Sequence, residues 1–223
     1  MFEQELEMEE REASAIPLLL IAVLIVAIVG VAGYYLWQSR QVLAPQEAAT
    51  VINAVDAQSP ATIQFHVGKV TASVAVKPHD PNYRLLEKAG LLKVGNDQGR
   101  FTPVTLTPQG EKQLQEIAGL SKTKESDGTE GYTVPIADRK LVEISNITMI
   151  NPSRAVVDFT WKWEPNRLGE IFDASGPLVK SFNTWERGTL IDKYNANFYH
   201  ANPTRTALVL AKVGKHWEIA PAD

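Results

Sequence analysis

The segment IPLLLIAVLIVAIVGVAGYYLW, residues 16–37, is a continuous apolar run near the start of the chain. From residue 13 to residue 39, the only ionisable side chains are two tyrosines. At 1.5 Å per residue, about 20 helical residues cross a hydrocarbon core of about 30 Å. Because Leu, Ile, Val and Ala occupy every face of this helix, it has no polar side to turn to water. The sequence therefore predicts a transmembrane helix over residues 16–37.

The carboxyl end of this helix has the composition of a membrane interface. Tyr34, Tyr35 and Trp37 lie together there, and Arg40 follows them. Amphipathic rings favour the level of the lipid headgroups. We expect these four residues to be interface anchors, with the lipid bilayer as the first partner of the protein. Pro17 is expected in the first turn of the helix, where a missing N–H costs little.

A cleaved signal peptide is the alternative interpretation of the run. Signal peptides have a basic n-region and an apolar core of about 7–15 residues before a small-residue cleavage site. Here the preceding residues are acidic and the apolar run is longer. The chain has no cysteine, so a lipid-modified cysteine, a disulfide and a thiolate metal site are all excluded. We expect the helix to be retained as an anchor.

Small residues recur along one side of the predicted anchor. Ala27, Gly30 and Gly33 follow each other at intervals of three residues. Small-residue stripes allow transmembrane helices to approach closely, although this spacing is not G-x-x-x-G. The stripe offers a homodimer contact.

The net charge of −4 is divided unevenly along the chain. Residues 1–15 contain six glutamates against one arginine, a net of −5, so the remainder holds 20 acidic and 21 basic residues, a net of +1. The tail is expected to be disordered or a frayed extension of the helix. A nearly neutral main part argues against nucleic acid as a partner, since a sequence-independent grip on phosphates needs a basic excess.

The positive charges that flank the helix do not decide the orientation of the anchor. Arg11 lies on one side of the helix and Arg40 on the other, so the positive-charge count is tied. We expect the short tail inside and the large domain outside the cytoplasm, because this is the common layout for an uncleaved N-terminal anchor.

Apolar periodicity and turn residues divide the rest of the chain into units. Residues 46–57 predict a helix, and residues 61–76 alternate as a hairpin or one long bent strand. Within residues 82–119 we expect a helix, a turn, and a strand running into a second helix with Thr107 as its N-cap. The predicted order is a tail (1–15), the anchor (16–37), a connector (38–47), an α+β unit (48–119), a linker (120–133) and a second α+β unit (134–223).

The phrase LLEKAGLL … FTPVTLTPQGEKQL in the first unit resembles the second half of winged-helix domains. In that family a helix, a two-stranded wing and a closing helix follow each other, and the helix before the wing reads DNA. Residues 80–118, however, carry five basic and five acidic residues. A phosphate-binding surface needs several unopposed bases. We interpret the segment as a structural, winged-helix-like unit, and keep a membrane-tethered DNA-binding regulator as an alternative.

The second unit reads as an antiparallel sheet. Residues 155–163, AVVDFTWKW, alternate so that Val157, Phe159, Trp161 and Trp163 share one face. The ending TALVLAKVGKHWEIA resembles the last hairpin of NTF2-like and cystatin-like domains, and the order of phrases is similar to that of uncharacterised bacterial envelope proteins. These resemblances imply an α+β fold and no particular reaction.

Chemistry-bearing motifs are sparse. The four histidines form no H-x-x-x-H pair, and the chain has no P-loop, G-x-G-x-x-G or G-x-S-x-G phrase. We predict no catalytic, cofactor or metal site and no enzymatic activity. Ligand pockets combine aromatic rings with a few polar groups, and the candidate pocket residues of the second unit are Trp161, Trp163, Tyr194, Asn197, Tyr199 and His200.

Anchor, neutral domain and missing motifs together predict a single-pass membrane protein. Its soluble α+β part is expected to be a binding or assembly module at the cell envelope, with another membrane or envelope protein as a partner. A small-molecule or enzymatic pocket in the second unit is a further alternative.

Overall fold

The computed structural model describes residues 2–39, 42–73, 77–126 and 128–221, and within the first helix it describes the side chains of residues 17–35. Arg40 and the side chain of Trp37 therefore lie outside the described part.

The elements in chain order are α1 (Phe2–Ser39), α2 (Pro45–Asp56), β1 (Ala61–Val70), α3 (Pro81–Lys88), β2 (Leu92–Val94), β3 (Thr102–Leu106), α4 (Pro108–Gln115), β4 (Ser121–Lys124), β5 (Glu130–Asn151), β6 (Arg154–Pro165), α5 (Arg167–Ile171), α6 (Pro177–Lys180), α7 (Thr184–Lys193), β7 (Thr204–Val213) and β8 (His216–Ile219).

Helix α1 is long and apolar enough to span a membrane. Its segment Pro17–Tyr35 has a mean hydropathy of 2.6, and none of that segment is buried against the described fold. The helix already begins at Phe2, so residues 2–15 extend it. The expectation that Pro17 lies in the first turn is wrong for this reason: the proline is inside the helix, where the backbone lacks one N–H donor.

The described strands form one antiparallel sheet of eight strands. Its order is β2-β3-β1-β5-β6-β7-β8, and β4 pairs with β5 outside this path. Strand β5 is 22 residues long; its first part pairs with β1 and β4, and its second part pairs with β6. The predicted α+β chain with an N-terminal apolar helix and an antiparallel sheet is confirmed.

The sheet continues through the segment that was expected to be a linker. Residues 121–124 form β4, in which Ser121 pairs with Thr133 and Lys124 pairs with Glu130. Strand β5 then leads directly from β1 to β6. The units expected on either side of residues 120–133 therefore share one sheet.

Two apolar clusters cover this sheet. The larger joins β1 and the start of β5 to helices α3 and α5–α7, with Phe65, Val134 and Phe172 among its buried members. The smaller places α2 on the β5–β8 part, through Ile52 and Phe159 among others. Each such fully buried side chain contributes about 1.5–3 kcal/mol relative to an exposed one. The clusters hold both ends of the sheet against helices.

The phrase TLTPQG has a local structural explanation. The Thr107 hydroxyl accepts a hydrogen bond from the Gly110 backbone N–H at 3.0 Å and donates to the Gly90 carbonyl at 2.6 Å, which confirms Thr107 as the N-cap of α4. A Cβ at Gly110 would lie 2.0 Å from the Leu91 carbonyl oxygen. The order α3, β2–β3 hairpin, α4 is the one that the winged-helix resemblance implies, yet β3 also pairs with β1.

The contact at Gly110 yields a stability prediction. We expect Gly110→Ala to lower the free energy of unfolding by about 1–3 kcal/mol, because the new methyl group displaces a backbone carbonyl. Gly188→Ala is the matched control: it lies in α7 with nothing near its Cβ position, and we expect a gain of about 0.5–1 kcal/mol. Urea unfolding of the full chain in detergent micelles, followed by tryptophan fluorescence, measures both. Equal stability of the Gly110→Ala variant and the parent would contradict the close approach.

Candidate functional site

A cavity of about 340 Å³ opens between β1, α3 and the end of α7. Its volume lies in the range of small-molecule sites, which begins at about 300 Å³. Polar side chains and aromatic rings alternate around it. The lining residues are Thr62, Ile63, Gln64 and His66 from β1, Asn82, Tyr83 and Leu86 from α3, and Phe172, Lys193, Tyr194 and Asn195.

Helix α3 supplies the buried polar wall of the cavity. Asn82 is only 4% exposed, and its Oδ1 atom has no hydrogen-bond partner among the described residues. A buried unpaired acceptor costs about 1–3 kcal/mol. Asn82 lines the cavity, and Oδ1 itself is buried in the cavity wall.

Tyr83 and His66 join this helix to β1. The Tyr83 hydroxyl accepts a hydrogen bond from the His66 backbone N–H at 2.8 Å. Burial raises the pKa of that hydroxyl to about 12, so it stays protonated at neutral pH. The His66 side chain places Nε2 3.5 Å from the Glu125 carboxylate, while its buried Nδ1 has no partner in the described part of the chain. With the proton on Nε2, Nδ1 is a second unpaired acceptor.

The end of α7 closes the opposite wall. Tyr194 donates from its hydroxyl to the Asp80 carboxylate, and burial, followed by this hydrogen bond, raises the pKa of Tyr194. Asn195 has φ 57°, a left-handed conformation that asparagine tolerates, and its side-chain amide donates to the Thr62 carbonyl at 2.6 Å. The Tyr199 hydroxyl donates to the Asn195 carbonyl at 2.6 Å. Tyr199 thus positions Asn195 without lining the cavity.

The six predicted pocket residues are distributed over three places. Tyr194 lines the cavity. Trp161 and Trp163 on β6 form an edge-to-face pair with centroids 5.2 Å apart, and Trp163 meets the Tyr199 ring at 6.0 Å. The Arg139 guanidinium lies over both indoles, at 4.7 and 5.2 Å from their centroids. These rings form a packed stack beside the core.

Asn197 and His200 belong to an exposed loop instead. The Asn197 side chain accepts from the Phe198 backbone N–H at 2.7 Å, which fixes the loop. His200 places Nδ1 2.8 Å from Asp173, and the Ser175 hydroxyl lies 3.1 Å from that same nitrogen. Burial alone would raise the pKa of Asp173, but the hydrogen bonds from His200 and Ser175 lower it below its ordinary value.

This Asp173–His200–Ser175 cluster lacks the geometry of a nucleophilic triad. In a triad the acid and the hydroxyl bind opposite nitrogens of the imidazole ring. Here the carboxylate lies at Nδ1, whereas the Ser175 hydroxyl lies 3.1 Å from Nδ1 and 3.3 Å from Nε2 and donates to Asp173 at 2.9 Å, so it is not aligned on Nε2 alone. The cluster is a loop-fixing network, and no group of three potential metal ligands occurs among the described residues.

Sequence reasoning missed most of the cavity. In the sequence, Asn82 and Tyr83 open an ordinary helix, and His66 lies between two apolar residues of an alternating strand. An asparagine followed by a tyrosine at a helix start carries no distinctive signal. The alternation of β1 did place His66 off the buried face, and this was the one available hint.

Comparison with known proteins gives no match: no protein-family model, no curated protein and no solved structure is significantly similar to this chain.

The unpaired acceptor of Asn82 yields a second stability prediction. We expect Asn82→Leu to raise the free energy of unfolding by about 1 kcal/mol, because an apolar side chain of similar size removes a buried unsatisfied oxygen. Asn183→Leu is the control: that amide caps α7 by accepting from the Glu186 N–H at 2.9 Å, and its loss should cost about 1 kcal/mol. Urea unfolding of the full chain in micelles measures the free energy of unfolding of both variants and of the parent. Equal destabilisation by both changes would contradict the unsatisfied acceptor.

Proposed function

We propose that this protein is a membrane-anchored binding protein of the cell envelope. Helix α1 holds it in the bilayer, and the α+β domain outside the cytoplasm takes up a small polar ligand in the cavity between β1, α3 and the end of α7. The observation that carries the proposal is that two residues lining that cavity, Asn82 and His66, each bury a polar atom, Oδ1 and Nδ1, that has no hydrogen-bond partner among the described residues.

The cavity chemistry favours a neutral ligand that is rich in hydroxyl groups. The unpaired Asn82 oxygen calls for a donor and the Lys193 ammonium calls for an acceptor, and a hydroxyl group is both. The Asp80 carboxylate accepts a hydrogen bond from the hydroxyl of Tyr194, which is one of the lining residues. The rings of Tyr83, Phe172 and Tyr194 offer apolar faces between these polar groups. A monosaccharide-sized polyol combines hydroxyl donors with C–H faces and matches both features.

The anchor is supported by the packing of α1. A core helix of a soluble protein is mostly buried, whereas none of Pro17–Tyr35 is buried in the described fold. Leu, Ile and Val side chains on every face are more than half exposed, for example Leu18 at 67% and Val26 at 71%. Such a surface is stable in lipid and costly in water.

Pairing of two anchors through Ala27, Gly30 and Gly33 stays a prediction, as does an envelope protein partner.

The contacts of the basic side chains on α3 argue against the alternative of a DNA-binding regulator. Arg84 on α3 forms an ion pair with Glu186 on α7. Lys88 donates to the Ser181 hydroxyl at 2.9 Å and lies 4.1 Å from the Phe182 ring centroid. Both side chains thus tie α3 to α6–α7. A structural role for this helix explains these contacts better than phosphate binding does.

The anchor predicts how the protein fractionates. We expect the full chain to stay with membranes after an alkaline wash, because transferring about 19 apolar helical residues into water is prohibitively costly. Its intact mass should include residues 1–15, and protease added to intact cells should digest the domain. A mass lacking the N-terminal segment would identify a signal sequence, and a domain protected until lysis would overturn the extracytoplasmic placement.

The cavity predicts a ligand preference. Neutral monosaccharides and cyclitols are the probes, sugar phosphates are their anionic counterparts, and isothermal titration of the full chain in micelles is the measurement. We expect neutral probes to bind, and Asn82→Leu to weaken binding about tenfold by removing one hydrogen bond. Asn183→Leu, far from the lining, should leave affinity unchanged. Binding of phosphates alone, or insensitivity to Asn82→Leu, would refute the assignment.

A further inference from the structure

Two hairpin turns lie side by side at one end of the sheet. The β5–β6 turn contains Pro152 and Ser153, and the β7–β8 turn contains Gly214 and Lys215. A backbone hydrogen bond of 2.8 Å from the Lys212 N–H to the Ser153 carbonyl joins them. We refer to residues 150–154 and 212–216 as the paired tips.

The paired tips lie close to the point where the chain leaves the anchor. Leu43 is 1% exposed and belongs to the apolar cluster that contains Ala155, Leu210 and Trp217, at the bases of the tips. Helix α2, which follows Leu43, contacts β8. Four residue steps from Ser39 to Leu43 span at most about 14 Å. From Trp217 to the turn is about 10 Å at the rise of a strand.

The side chains of the paired tips suit a lipid surface. Ile150 and Val213 are 57% and 58% exposed, more than the other exposed large apolar residues of the described strands, which are Val142 at 48%, Ile219 at 39% and Val209 at 37%. Lys215 is exposed at the β7–β8 turn. The paired tips contain three basic side chains, Arg154, Lys212 and Lys215, and no acidic one. Apolar groups beside lysine and arginine bind the headgroup region of anionic membranes.

We propose that the paired tips rest on the anionic headgroup surface of the membrane that holds α1. Ile150 and Val213 enter the interface, and Lys215 contacts lipid phosphates. The anchor delivers the tips to this surface, so the contact is intramolecular and needs little affinity of its own. This proposal rests on the anchor in the proposed function. It fixes the domain upright, with the β5–β8 end of the sheet toward the bilayer.

The absence of cysteine allows a direct test. Single cysteines replace Ser153 at the tips and, as the control, Gln98 in the exposed β2–β3 turn. The control turn lies at the far end of the sheet, because Val104 on β3 pairs with Gly68, past the residues of β1 that pair with β5. An environment-sensitive dye on each cysteine reports contact with lipid. The full chain is placed in nanodiscs of phosphatidylcholine, with or without phosphatidylglycerol, that contain nitroxide-labelled lipid.

We expect the dye at residue 153 to shift to the blue and to be quenched in the anionic discs, and the dye at residue 98 to be unaffected. Lys215→Gln should lower the docked-to-undocked ratio about fivefold, the value for one basic residue near an anionic surface. Val213→Ser should lower the ratio as well, and Lys93→Gln on the remote β2 should not change it.

Three outcomes would overturn the proposal, and they differ from one another. A dye at residue 153 that stays in water in both lipids rules out docking while the anchor stands. A response that appears only with two chains per disc assigns the tips to a second copy of the protein. A chain that does not enter discs at all removes the anchor, and this proposal with it.

Discussion

The backbone of β5 imposes the main constraint on this fold. A strand buried within a sheet must pair its N–H and C=O groups on both sides. Strand β1 pairs with residues 130–137 of β5 along one edge, while β4 pairs with residues 130–133 and β6 with residues 137–151 along the other edge. One strand thus belongs to two regions, each with its own apolar cluster and helical layer. Loss of pairing anywhere along it would separate these layers.

The cavity follows from this arrangement. Strand β1 carries α3 across one side through the hydrogen bond between His66 and Tyr83, while the α7 end returns to the same strand through Asn195 and Thr62. Both walls are held by hydrogen bonds to the β1 backbone, so their separation is fixed. Because these contacts fix the two walls, the space between them does not collapse around the unpaired Asn82 oxygen.

Local patterns predicted the local structure. The cap at Thr107, the strand alternation through Phe159 and the apolar helix α1 all depend on neighbours within a few residues, and all are present. Strand β4 escaped prediction because its residues, SKTK, are polar and exposed, and only the edge of β5 makes them a strand. The cavity escaped for a similar reason: Thr62 and Asn195 are 133 residues apart, and no periodicity encodes their contact.

The distance between the cavity and the anchor determines from which side a ligand would reach the cavity. The cavity lies on the part of β1 that pairs with residues 131–135 of β5, whereas the paired tips follow residue 150 of that strand. At about 3.3 Å per residue, this separation along β5 approaches 50 Å where the strand is straight. In the proposed orientation, with the tips on the bilayer, the cavity lies toward the end of the sheet that is remote from the membrane. A ligand would therefore arrive from the aqueous side, which fits a small hydrophilic molecule and argues against one extracted from the membrane.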